Sequence, residues 1–343
     1  MTDGTWPEPE EIKTLQMKRP HLVILGAGAS LAAFPAGDRN GKRLPLMKNF
    51  VDVVGLTDML KAAGVSEPYD DFESIYSDIA IDPNRKALKE EIEGHVVSYF
   101  SSLELPDEPT LYDHLVLSLR PKDVIATFNW DPFLCQAARR NYAFGGAPTL
   151  LFLHGSVAFP YCGDCKTGYP LQTTCPKCGK PLVKSPLLYP VKQKDYQTDP
   201  AISGHWRTLE QVLKSAWVLT VFGYGAPQTD VEAVRLMKAA WGDVHERELE
   251  ETEMIDVRTE DDLTATWAPF IHTHHYTIHR SFYDSYIARF PRRSGEALWA
   301  QLMECQFLDP HMFPLNADFP ELYDWLQPRI NAEQRTRRSD FAL

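Results

Sequence analysis

The sequence predicts an α/β fold built on an open parallel sheet. Short apolar runs closed by glycine or polar residues recur along the chain, and segments with helical periodicity lie between them. The composition is that of an ordinary globular protein, with 44% hydrophobic and 24% charged residues in 343. That length suffices for one large domain or two modest ones and buries a sizeable core.

Residues 1–20 are polar, carry three prolines and read as a tail. His21–Leu25 (HLVIL) is a short apolar run closed by glycine, the pattern of a strand buried on both faces. Similar runs recur at Asp123–Thr127 (DVIAT), Thr149–Leu153 (TLLFL), Ala216–Gly223 (AWVLTVFG) and Met254–Val257 (MIDV). Helical stripes are expected over Leu88–Phe100, with Glu90, Glu91 and Glu93 on the polar face, and over Pro132–Tyr142 and Val231–Trp241. Two stretches depart from a plain alternation. Residues 40 to about 118 show helices and no convincing strand, and read as a helical insertion. Residues 157–190 are rich in Cys, Pro and Gly and read as a second, small insertion. From about 281 to 343 the chain is helical again (Ser294–Cys305, Pro320–Leu326) and ends in a polar, frayed segment. The acidic run Asp243–Asp262 reads as a solvated helix face and loop.

Charge and cysteine content narrow the function. Lys and Arg number 35 against 47 Asp and Glu, a net charge of -12. Such a surface repels phosphate backbones, which makes nucleic acid a poor partner. The first residues show no basic and apolar leader, and no run of about 18 apolar residues appears, so a cytoplasmic protein without a membrane span is expected. Six cysteines are too few for a disulfide scaffold at this length, and four of them form two C-x-x-C pairs.

Six segments carry candidate chemistry. Gly26-Ala27-Gly28-Ala29-Ser30 follows the first strand; glycine there allows a tight turn and close approach to a pyrophosphate, or a plain strand-to-helix turn. Thr127-Phe128-Asn129-Trp130-Asp131 ends a strand, at the sheet edge where open α/β folds bind ligands. Asp131 before Pro132 suits a helix cap, whereas Asn129 has donors and an acceptor to orient a sugar hydroxyl or a water. His154-Gly155-Ser156 ends the next strand and offers either a structural histidine or a general base with an ordinary pKa near ~6.5. Cys162, Cys165, Cys175 and Cys178 have the spacing of two knuckles around one tetrahedral zinc, with no position left for a catalytic water, and a redox dithiol is the competing reading. Phe222-Gly223-Tyr224-Gly225-Ala226-Pro227 is another glycine turn at the same sheet edge. His272, His274, His275 and His279 could build a metal site, but alternation along a strand explains them better. Cys135 and Cys305 read as buried free thiols.

In this order the segments GAGAS, TFNWD, LHGS, CGDC, CPKC and FGYG resemble sirtuins and the wider sirtuin-like fold, over roughly residues 21 to 260. The resemblance implies a Rossmann-like NAD-binding domain over 21–280, with the helical insertion and a zinc ribbon as its small domain and a C-terminal helical extension from 281. It implies that Gly26, Ala27, Gly28, Ser30, Asp131, Gly223 and Tyr224 contact NAD, and that the bond between nicotinamide and ribose is cleaved. Asn129 would hold the ribose and a water; His154 would take a proton from a ribose hydroxyl or that water. Three departures matter. The loop after the first turn reads AAFPAGDRNGKRLP and does not place the nicotinamide-shielding Phe in the family's way. The Gln of T-Q-N-I-D is lost. The segment that pairs with a substrate peptide is replaced by SPLLYPVKQKDY. In these respects the chain resembles bacterial sirtuin-like proteins that hydrolyse NAD, many in anti-phage defence, whereas the zinc ribbon is typical of deacylases. The expected function is NAD hydrolysis to nicotinamide and ADP-ribose. An NAD-dependent lysine deacylase and a non-catalytic NAD or ADP-ribose sensor are the alternatives, and a homo-oligomer or a defence ATPase the expected partners.

Overall fold

The computed structural model describes residues 17–169, 172–191, 196, 199–226, 230–247 and 249–340, without the side chains of 335–340. Most of the tail read over 1–20, Pro227 and the last three residues lie outside it. Strands β1 (His21–Leu25), β2 (Val124–Thr127), β3 (Thr149–Phe152), β7 (Val218–Phe222), β8 (Glu251–Ile255) and β9 (Tyr276–His279) form one sheet, ordered β3-β2-β1-β7-β8-β9. Every pairing is parallel. Taken in chain order, these six strands sit as 3-2-1-4-5-6, the doubly wound arrangement whose switch point lies between β1 and β7. Three short strands, β4 (Pro160–Cys162), β5 (Thr167–Gly168) and β6 (Val183–Lys184), make a separate antiparallel sheet.

The continuous apolar runs are explained by burial on both faces. Val23, Leu25, Ile125, Phe152, Phe222 and Ile255 face one core, while Leu22, Ile24, Ala126, Leu219, Val221 and Met254 face the other. The first core is closed by the helices between β1 and β2: α1 (Ala27–Ala33), α2 (Phe50–Val54), α3 (Thr57–Ala62), α4 (Phe72–Ile81), α5 (Lys86–Ser101) and α6 (Leu111–Leu117). The second is closed by α8 (Pro200–Ser215) and α9 (Val231–Trp241); α7 (Phe133–Asn141) lies between β2 and β3. Helix α8 starts as its sequence dictates, with Asp199 accepting from the Ala201 and Ile202 N–H groups and Pro200 at the first position. After β8 come α10 (Glu260–Trp267) and, beyond β9, α11 (Tyr286–Arg289), α12 (Ser294–Glu304) and α13 (Phe319–Asp340). Helix α13 continues well past Leu326 and is clasped by Glu333, which pairs with the buried Arg292 and Arg293. Among the described residues, no helix is long and apolar enough to cross a membrane.

Three expectations are corrected. The acidic run is not a solvated face throughout: Glu251–Ile255 is an inner strand and Glu253 is fully buried. Its carboxylate accepts from Thr220 Oγ1 and the Tyr286 N–H, both at 2.7 Å, and lies 3.3 Å from His279 Nε2. Burial pushes the Glu253 carboxyl up, but His279, His21 and Thr220 outweigh it and hold it below the usual range. Of the histidine cluster, only His279 lies in a strand; His272, His274 and His275 precede it in a turn with Thr273 at φ 47°. Cys135 is buried as expected, whereas Cys305 is exposed at the left-handed end of α12.

Candidate active site

The two glycine turns meet at the switch point, backbone against backbone. Gly26 N–H donates to Phe222 O and Gly28 N–H to Gly223 O, each at 3.0 Å. A Cβ on Gly26 would stand 2.5 Å from Gly223 O, and one on Gly28 would stand 2.8 Å from Gly223 Cα. Gly223 has φ 62°, and a Cβ there would lie 2.3 Å from Ala29 N. These glycines are therefore needed for the turn-to-turn contact itself, whatever approaches from outside. Ala27 is exposed at the start of α1 and faces the cleft above the contact.

Beneath the turns lies a buried polar network centred on Ser30. Its hydroxyl donates to Asp131 Oδ2 at 2.6 Å, bonds Tyr112 Oη at 2.7 Å and accepts from Asn129 Nδ2 at 3.0 Å. Asn129 Nδ2 also donates to Gly26 O at 2.9 Å, tying the β2 end to the first turn. The expected cap is shifted by one residue: Pro132 is the N-cap of α7 and Phe133 its first residue, while Asp131 stands one position earlier, with Oδ1 accepting from Phe133 N at 3.2 Å and Oδ2 turned to Ser30. Burial pushes the Asp131 carboxyl up to about 6, against the pull of the Ser30 and Phe133 donors. At neutral pH it is ionised, so the single Ser30 proton points to Asp131 and Ser30 accepts from its other two partners. Tyr112 has no sequence signal for this role; only the packing of α6 brings it there.

The third element is the end of β3. Gly155 has φ 76°, and a Cβ on it would run into Pro186 O, which lets the segment after the cysteines pass close by. There Leu188 N–H donates to His154 O at 2.9 Å. The His154 ring is nearly buried, with Nε2 3.3 Å from Tyr196 Oη and an edge-on contact to Phe128 at 4.8 Å. Burial pushes the Tyr196 hydroxyl far up, so it is a neutral phenol that can donate to the imidazole. Phe128 in turn stacks flat on Tyr224 at 4.0 Å, and Tyr224 donates to Asp230 at 2.9 Å.

Gly26, Ala27, Gly28, Ser30, Asn129, Asp131, His154, Gly223 and Tyr224 all line one cleft of about 670 Å³, at the carboxyl edge of the sheet. The cleft reaches further than those residues. Leu44, Met47, Phe50 and Phe100 wall it on the side of the helical segment, with Trp130 packed edge-on against Phe50 and Phe100. Beyond β8 and β9 it is lined by Asp256, Arg258 and Arg280. Apart from Trp130, which belongs to TFNWD, none of these was singled out from sequence; Asp256 falls within the strand expected over Met254–Val257, and it follows that strand's observed end at Ile255. Phe34 in the loop after α1 does not line the cleft, because it is buried between Phe133 at 4.4 Å and Tyr112 at 6.0 Å.

The four cysteines form a separate centre. The sulfurs of Cys162, Cys165, Cys175 and Cys178 all lie within 4.8 Å of one another. A tetrahedral zinc with ~2.3 Å bonds sets sulfurs about 3.8 Å apart, so the donor set fits a structural zinc. The two knuckles repeat one geometry. Lys166 (φ 54°) donates its N–H to Cys162 O, and Gly179 (φ 71°) donates its N–H to Cys175 O. Among the described residues no other group of His, Cys, Asp or Glu has such spacing, including the histidines around His272.

No family model and no curated protein matches the sequence. Solved structures do. A Sir2 homologue in complex with NAD is 16% identical and covers 87% of this chain and 98% of its own, with a TM-score of 0.41. A structure addressing the mechanism and regulation of Sir2 enzymes is 15% identical over 75% of this chain and 90% of its own, with a TM-score of 0.36. A third, on sirtuin substrate affinity, is 13% identical over 88% and 99%, with a TM-score of 0.32. A likeness at this level says nothing of the chemistry.

Proposed function

We propose that this chain is a sirtuin-like enzyme that hydrolyses NAD to nicotinamide and ADP-ribose. The observation that supports it most is the convergence of GAGAS, TFNWD, HGS and FGYG on one cleft at the switch point of a 3-2-1-4-5-6 sheet. In this reading the pyrophosphate lies over Ala27 at the start of α1, and the nicotinamide ribose lies toward Asn129 and His154. The bond between ribose C1′ and the nicotinamide nitrogen breaks, and its electron pair leaves with a neutral nicotinamide. Water adds to the oxocarbenium-like carbon, and its proton passes to His154. The chain's part is to hold the ribose with the Asn129 carbonyl oxygen, orient the water and stabilise the cationic carbon. The Ser30 network fixes Asn129 before the substrate arrives, as such positioning requires.

The segment that begins SPLLYP, in place of the strand with which sirtuins pair a substrate peptide, brings Leu188 and Pro190 to the cleft, and this favours water as acceptor. The four-cysteine centre favours the second reading, a protein lysine deacylase using the same site. A role in cytoplasmic anti-phage defence, with a homo-oligomer or an ATPase as partner, belongs to the first reading. Incubation of pure protein with NAD, with and without an acetylated-lysine peptide, separates them. Release of nicotinamide without peptide is expected; release only with peptide would establish the deacylase.

A further inference from the structure

We propose that the outer end of the cleft is a phosphate site, selecting a dinucleotide with a 2′-phosphate on its adenosine ribose, NADP over NAD. This rests on the reading of the cleft as a dinucleotide site and names the substrate within it. The first observation is where the cations lie. Among the described residues lining the cleft, Arg258 and Arg280 are the arginines, no lysine accompanies them, and both stand beyond β8 and β9. On a chain of net charge -12, a dianionic phosphate needs such local cations.

The second observation is their position. Asn129 and His154 follow β2 and β3, whereas Arg258 follows β8, four strands from β3. At ~4.8 Å per strand this is about 19 Å, with the two glycine turns between. An extended dinucleotide with its pyrophosphate over the turns and its reacting ribose at Asn129 places its adenosine ribose beside the arginines.

The third is how the strand-end carboxylate is used. In other doubly wound dinucleotide sites a strand-end carboxylate, there shortly after the first glycine turn, holds the ribose diol of NAD, and a nearby arginine takes the 2′-phosphate of NADP. This chain sets the same pair of groups, Asp256 and Arg258, at the end of β8 in the other half of the sheet. Here Asp256 is occupied by Arg258: Oδ1 accepts from Arg258 N at 2.9 Å, and Oδ2 accepts from Nε at 3.2 Å and Nη2 at 3.0 Å. Arg280 is pinned by Nη1, which donates to Val257 O at 2.5 Å and also to Arg258 O. Its Nε and Nη2 have no hydrogen-bond partner among the described residues. They form the planar fork that suits a phosphate. Val257, next to Arg258, is 84% exposed, so among the described residues nothing packs over it.

The test uses ADP-ribose and its 2′-phosphate, which carry the whole adenosine half and are not turned over. Calorimetry on the full chain is expected to give the 2′-phosphate at least about tenfold tighter binding. Arg258→Ala and Arg280→Ala are expected to bring the ratio near one, and Arg280→Lys, which keeps charge without the fork, to leave it intermediate. Melting curves without ligand check that each variant is folded. Equal affinities in the wild type, or a preference that survives both alanine variants, would overturn the proposal while leaving the dinucleotide reading intact. Binding of neither nucleotide would overturn both. Inorganic phosphate as competitor is expected to weaken the 2′-phosphate selectively; equal weakening of both nucleotides would count against the site.

Discussion

Ser30→Ala removes one oxygen from the centre of the site, and its consequence can be worked through partner by partner. The Ser30 side chain is buried and joins Asp131, Tyr112 and Asn129. Asn129 Nδ2 keeps its bond to Gly26 O, so it loses least. Asp131 keeps only the longer bond from Phe133 N, and the Tyr112 hydroxyl loses the Ser30 oxygen at 2.7 Å. One neutral group at about 1 kcal/mol and one charged group at about 2 kcal/mol give a loss of about 3 kcal/mol at pH 7.5. The sign of the pH dependence follows from Asp131, whose carboxyl stands at about 6 in the fold against 3.8 ordinarily. Between those values the native state holds the proton and the unfolded state does not. Stability therefore falls as pH rises through this window, by about 3 kcal/mol in all for the wild type. In Ser30→Ala the ionised carboxylate lacks its main donor, so the loss is expected to be larger at pH 7.5 than at pH 5, where Asp131 is protonated. Urea denaturation of both proteins at the two pH values measures it. A loss below about 1 kcal/mol, or one that grows on acidification, would refute the network as described.

Other outcomes are expected from the same geometry. Purified protein should carry one zinc per chain by metal analysis, and Cys175→Ser should lose it together with solubility, since the metal is the main folding energy of so small a module. His154→Ala should remove nicotinamide release while calorimetry still finds ADP-ribose bound; loss of both together would make His154 structural. Gly28→Val should lower the melting temperature even without nucleotide, because its Cβ meets Gly223 backbone at 2.8 Å. Ala27→Trp, on an exposed position of the cleft, should instead fold normally and abolish the stabilisation that NAD gives the wild type, about 2.7 kcal/mol at 100 times the dissociation constant.

The sheet was legible because parallel strands buried on both faces read as unbroken apolar runs, and β1 was bounded to the residue. Strand β8 was bounded wrongly for a physical reason. Glu251, Thr252 and Glu253 look like a solvated run, and nothing local says otherwise. The burial of Glu253 is compensated by Thr220 on β7, His279 on β9 and the Tyr286 backbone, and that of Thr252 by the Phe270 carbonyl, groups that only the fold brings together. The same holds for the site. Its strand-end motifs stand out because glycine and asparagine at a strand end have few other uses. Tyr112 inside a helix, and Arg258 and Arg280 after two separate strands, gain their place from topology. The glycines carried a meaning the sequence understated: Gly26 and Gly28 answer first to Gly223 across the switch point, and only then to any ligand.

The central claim is that this cleft breaks the nicotinamide–ribose bond with Asn129 holding the ribose. Chromatographic measurement of nicotinamide released from NAD by wild type and by Asn129→Ala tests it, with melting curves confirming that both are folded. Steady release by the wild type and a loss on the order of 10²-fold in the variant are expected. Release that is absent from the folded wild type with and without peptide, or unchanged in the variant, would contradict it.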